Sequence, residues 1–152
     1  VDVFAQYQAA WPHILRVLAG VTAPRVLLIG GRSDYFQGLF QKHAHIVKSV
    51  SYEAIPETGA AHVIFVFEEA VKKAPNEIFA KALNLMHPSK GVLVSILSPE
   101  LYEHTGIEEM LFNWKKQGSE MDLKRFPLNT QALPVCESLI KHYMLVMRHR
   151  TV

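Results

Sequence analysis

Cysteine is almost absent. Cys136, alone among 152 residues, has no partner for an internal disulfide and cannot build an all-cysteine metal site, a usage that suits a reducing compartment. No apolar run approaches the roughly 20 residues that span a bilayer as a helix, and no signal-peptide succession of charged, apolar and small residues opens the chain. Neither sign of charge dominates. The 16 Lys and Arg residues stand scattered against 14 Asp and Glu, net +2, so there is neither a nucleic-acid stripe nor a polybasic membrane patch. The eight histidines include no HExxH and no Cys/His zinc spacing, so no metal is expected. These absences describe a soluble, cytoplasmic chain without nucleic-acid or membrane partners. Because Val1 stands at the start rather than methionine, the chain is expected to be a processed product or a domain of a longer multidomain protein.

What is present is apolar patterning. At 152 residues and 49% hydrophobic, the chain can bury roughly two thirds of its unfolded surface, enough for one globular domain. A helical segment over 1–23 is expected to precede an α/β domain over 24–152. Phe4, Tyr7, Trp11, Ile14, Leu15 and Leu18 fall at helical spacing, with Pro12 expected to kink or split that helix. Strands are predicted at "RVLLIG" (25–30), "HIVKSVSYE" (45–53), "HVIFVF" (62–67) and "GVLVSIL" (91–97); three of these are continuous apolar runs, as in parallel strands covered on both faces. Ser33 or Asp34 caps a predicted helix carrying Phe36, Leu39 and Phe40. Pro75 opens another, with Ile78, Phe79, Ala82, Leu83 and Met86 on one face, and Thr105 with Glu108 forms a capping box before Ile107, Leu111 and Trp114. Two further strands, 120–126 and 139–147, close the chain. Only about a dozen residues, two of them proline, separate these last strands, too few for a packed crossover helix, so they should pair antiparallel. The alternation of strands and helices implies a mostly parallel sheet with helices on both faces.

The succession "RVLLIGG", "VSYEAI", "AHVIFVFEEA", "LNLMHPSKGVLVSIL" (with Pro88 and Gly91) and "HYMLVMRHR" resembles the class I S-adenosylmethionine-dependent methyltransferase fold. The first strand is most similar to the spermidine synthase branch. The resemblance implies a three-layer, Rossmann-like methyltransferase-type sheet, mostly parallel with an antiparallel C-terminal strand pair. It also implies S-adenosylmethionine as cofactor and methyl transfer to an unspecified acceptor. Residue by residue, it places Gly30, Gly31, Arg32 and Ser33 in the cofactor loop and Glu53 on the ribose, and it counts Phe67 and Glu68, at the end of the strand that faces substrate, among the cofactor-binding residues, with Glu68 near the substrate.

The departures keep a second reading open. The family loop usually carries three glycines, whereas "GGRSD" has two, and Arg32 and Tyr35 put side chains where the family leaves room. Only "AIPETGAA" separates Glu53 from His62, too short for a crossover helix and a further strand, so one edge strand should be missing. "FEEAV" is not the Asn/Asp-Pro-Pro-aromatic stretch of amine-methylating members, so no catalytic residue transfers by motif. A glycine pair also serves an ordinary tight turn, Glu53 also reads as a solvated carboxylate, and Glu68 with Glu69 reads as a solvated helix start. The alternative is thus a catalytically inactive methyltransferase-fold domain acting as a protein-interaction or scaffold module. A nicotinamide-dinucleotide binder is disfavoured by the missing GxGxxG.

Overall fold

The computed structural model describes residues 3–30, 37, 38, 40–42, 46–56, 59–87, 90–104, 106, 109, 121–127 and 143–149. In chain order its elements are helix α1 (Val3–Gly20), strands β1 (Arg25–Ile29), β2 (Ile46–Val50) and β3 (Val63–Val66), helices α2 (Glu68–Lys73) and α3 (Pro75–Leu85), strand β4 (Val92–Leu97), helix α4 (Pro99–His104), and strands β5 (Met121–Pro127) and β6 (Tyr143–His149). The six strands form one sheet in the order β2-β1-β3-β4-β6-β5. β1, β2, β3 and β4 run parallel, while β6 pairs antiparallel with both β4 and β5. The mostly parallel sheet and the antiparallel closing pair are therefore as expected, and on the β2 side the sheet ends without a further strand among the described residues.

Side-chain alternation builds the three layers. Val26 and Leu28 of β1, Val63 and Phe65 of β3 and Val92, Val94 and Ile96 of β4 point to one face, where Ala10, Ile14 and Leu18 of α1 and Phe40 cover them. Leu27, Ile29, Ile64, Val66, Leu93 and Leu97 point to the other, covered by α2, α3 and α4 through Ala70, Val71, Ile78, Phe79, Ala82, Leu85, Leu101 and Tyr102. Each such large side chain taken from water contributes about 1.5–3 kcal/mol, which explains why β1, β3 and β4 are almost wholly apolar, Arg25 at the exposed start of β1 and Ser95 in β4 aside. At the centre Ser95, fully buried, donates its hydroxyl to the Val66 carbonyl at 2.8 Å, so its polar atom is satisfied inside the sheet.

Four expectations need correction. Pro12 does not split the first helix, because α1 runs through it; the ring sits on the exposed side, where water can satisfy the carbonyl that loses its partner. Leu15, placed by spacing on the apolar face, is 42% exposed, since the buried stripe follows Ala10, Ile14 and Leu18. The second strand stops at Val50, and Tyr52–Ala54 forms a 3-10 turn instead. The short helix α4 was not expected as a separate element, whereas α2 begins where Glu68 and Glu69 read as a helix start. The predicted helix after Thr105, and most of the one after Ser33, lie outside the described residues.

Two contacts fix α1 and the rim. Arg148 Nη2 donates to the His13 carbonyl at 3.3 Å, giving the basic C-terminal stretch a structural duty against α1. The turn before β4 closes with the Gly91 amide donating to the His87 carbonyl at 3.1 Å, and a Cβ at Gly91 would run into Met86 and the His87 backbone. Among the described residues no helix is long and apolar enough to cross a membrane.

Candidate functional site

Order reverses between β1 and β3: the chain steps from β1 outward to β2, then returns to the other side of β1. The carboxyl ends of strands at such a switch point are where open α/β sheets leave a crevice. Here the end of β1 is stitched on both sides, with Gly30 N–H donating to the Val50 carbonyl at 2.8 Å and Phe67 N–H donating to the Ile29 carbonyl at 3.0 Å. A cleft of about 410 Å³ opens beside it, within the range of small-molecule sites. Its walls are Gly30, the run Ser49, Val50, Ser51 and Tyr52 from β2 and its exit, and Glu69, Ala70 and Lys73 from α2.

Gly30 is glycine for two local reasons. Its φ of +84° is the left-handed region that side chains disfavour, and a Cβ there would overlap Ala70 of α2. Next to it, Lys73 Nζ lies 4.9 Å from the centre of the Tyr52 ring, a cation resting on an aromatic face. The Tyr52 hydroxyl donates to the Glu53 carboxylate, and this bond, with the carboxylate's negative charge, raises the phenol above its ordinary pKa of 10.0. The cleft therefore carries hydroxyls, one aromatic face, an ammonium and carboxylates. Among the described residues no group of three or more His, Cys, Asp or Glu could hold a metal ion.

The residues singled out from the sequence divide in three. Gly30 lines the cleft, and Glu53, exposed in the 3-10 turn, reaches it through Tyr52 rather than forming its wall. Phe67 and Glu68 are not brought to it. The Phe67 ring is buried on the α1 side of the sheet, 4.8 Å from Phe65. Glu68 opens α2 with its side chain 12% exposed; Oε1 lies 3.6 Å from Lys72 Nζ, and Oε2 is buried with no hydrogen-bond partner among the described residues. Gly31, Arg32 and Ser33 lie outside the described residues. Sequence reasoning missed Ser49, Ser51, Tyr52, Ala70 and Lys73 as site residues. For α2 the available signal was Glu69 and Lys73, four apart on one face of a helix.

Among solved structures, the plantazolicin methyltransferase BpumL bound to S-adenosylhomocysteine superposes with a TM-score of 0.69 at 11% identity, covering 98% of this chain and 86% of its own. The chain has the class I methyltransferase-like fold. The same fold relates it to Haemonchus contortus phosphoethanolamine N-methyltransferase 2, crystallised with phosphomonomethylethanolamine and S-adenosylhomocysteine (TM-score 0.69, 10% identity, 99% of this chain and 38% of that one). N-methyltransferase NodS from Bradyrhizobium japonicum WM9 matches at a TM-score of 0.62 and 11% identity, over 99% of this chain and 100% of its own. No family model and no curated protein matches the sequence. At these identities the methyltransferase-like fold is what is shared.

Proposed function

We propose that this chain binds S-adenosylmethionine in the cleft beside Gly30 and serves methyl transfer to an acceptor held on the Glu68 side of β3. The observation that carries this reading is the position of the cleft: it opens at the switch point of a methyltransferase-like sheet, and structural neighbours were crystallised with S-adenosylmethionine or S-adenosylhomocysteine. The donor set fits. Ser49 and Ser51 hydroxyls and the Glu53 carboxylate suit a ribose, Tyr52 offers a ring for stacking, and Glu69 and Lys73 suit the charged amino-acid end. When bound, the cofactor would supply an electrophilic methyl group on its sulfonium.

Glu53→Ala tests the assignment directly. Loss of charge-assisted hydrogen bonds, worth about 1.5–3 kcal/mol, should weaken S-adenosylhomocysteine binding by about tenfold or more in a calorimetric titration. An unchanged affinity removes Glu53 from the site.

One observation favours the second reading, an inactive domain that serves as an interaction module. Ala70 packed on Gly30, together with the positive φ, accounts for that glycine with no ligand at all.

A further inference from the structure

At the opposite rim of the sheet, where β1, β3 and β4 begin, two histidines stack. The rings of His62 and His87 lie 4.9 Å apart between centres and within 20° of parallel. His62 is only 7% exposed. Its Nδ1 accepts the Arg25 backbone N–H at 3.1 Å, and Nδ1 of His87 accepts the Lys90 backbone N–H at 3.1 Å. An N–H donor needs a lone pair, so both rings must be neutral with their protons on Nε2. The backbone around them is equally tied: His62 N–H donates to the Arg25 carbonyl at 2.9 Å, Val92 N–H to the His62 carbonyl at 2.8 Å, and His87 N–H to the Ala61 carbonyl at 2.9 Å.

We propose that the His62–His87 stack is a proton-sensitive clasp that fastens the amino-terminal rim of the sheet while His62 is neutral and releases it when His62 is protonated. A second proton has only Nδ1 to occupy. There it meets a backbone N–H head-on, so the bond is lost and replaced by repulsion between two donors. The charged groups facing His62 all act in the same direction: a charge on His87 and the cations Arg25 and Lys90 each oppose a charge on His62. Burial, followed by these like charges, holds His62 below its ordinary pKa of 6.5. A base with a lowered folded pKa leaves the unfolded chain holding more protons, so the clasp contributes fully above about pH 6.5 and is lost as pH falls below it.

Amide hydrogen exchange followed by NMR on the intact chain tests this. Between pH 7.5 and 5.0, after correction for intrinsic rates, protection at the Arg25 amide should fall by tenfold or more. Protection at the Gly30 amide, bonded to Val50 at the far end of β1, should hold. In His87→Phe, which keeps a ring to stack but removes one titrating group, the His62 ring should titrate at higher pH than in the parent. Unchanged protection at Arg25, or loss at Arg25 and Gly30 together, would overturn the proposal, as would a His62 titration indifferent to His87→Phe.

Discussion

Gly30 and Ser95 show what single residues contribute. A Gly30→Ala substitution must accept a left-handed backbone, costing roughly 1–2 kcal/mol, and an overlap with Ala70, costing roughly 1–3. Urea denaturation should therefore show a loss of about 2–5 kcal/mol with an unchanged m-value. Ser95→Ala removes one satisfied buried hydrogen bond and should cost about 0.5–1.5 kcal/mol in the same assay. Tyr52 reports on the cleft by titration. Its hydrogen bond to Glu53 favours the neutral phenol, so it should ionise above pH 10.0, and spectrophotometric titration of Glu53→Gln should bring it back toward that value. The sign is that of a group raised on folding: its contribution is present below pH 10.0 and lost as pH rises through the folded value.

Elements differ in how plainly the sequence announces them. β1, β3 and β4 are legible because both faces are buried, which favours apolar residues; Val63–Val66 and Val92–Leu97 are buried without exception, the one polar side chain among them being the hydrogen-bonded Ser95. β2 is an edge strand with three of five residues exposed, and its end was misread because "SYE" continues an alternation that the 3-10 turn interrupts. α2 has six residues, too few for a helical period to stand out, yet it supplies one wall of the cleft. α1 carries the clearest liability. An exposed proline inside a helix costs up to about 3 kcal/mol relative to alanine, so Pro12→Ala should raise stability by 1 kcal/mol or more, read as a higher denaturation midpoint. No gain would mean that α1 has adapted its packing on the sheet to the proline.

For the molecule as a whole, the layer architecture was legible and the cleft was not. Alternation of strands and helices dictates a parallel sheet covered on two faces, and the short segment between β2 and β3 excludes another crossover helix. The cleft depends instead on strand order. Ser49–Tyr52 and Glu69–Lys73 come together only because β2 and β3 flank β1, and nothing local to either segment encodes that meeting. The fold places a cleft of suitable size and polarity where methyltransferase-like sheets open, and the proposed function requires cofactor binding there. It is tested most directly by calorimetric and thermal-shift titration with S-adenosylmethionine and S-adenosylhomocysteine. Ligand at about 100 times its dissociation constant stabilises a protein by roughly 2.7 kcal/mol, about 5–10 °C for a chain of this length. Saturable one-site binding with such a shift is the predicted result, and neither heat nor shift at millimolar ligand would contradict the account.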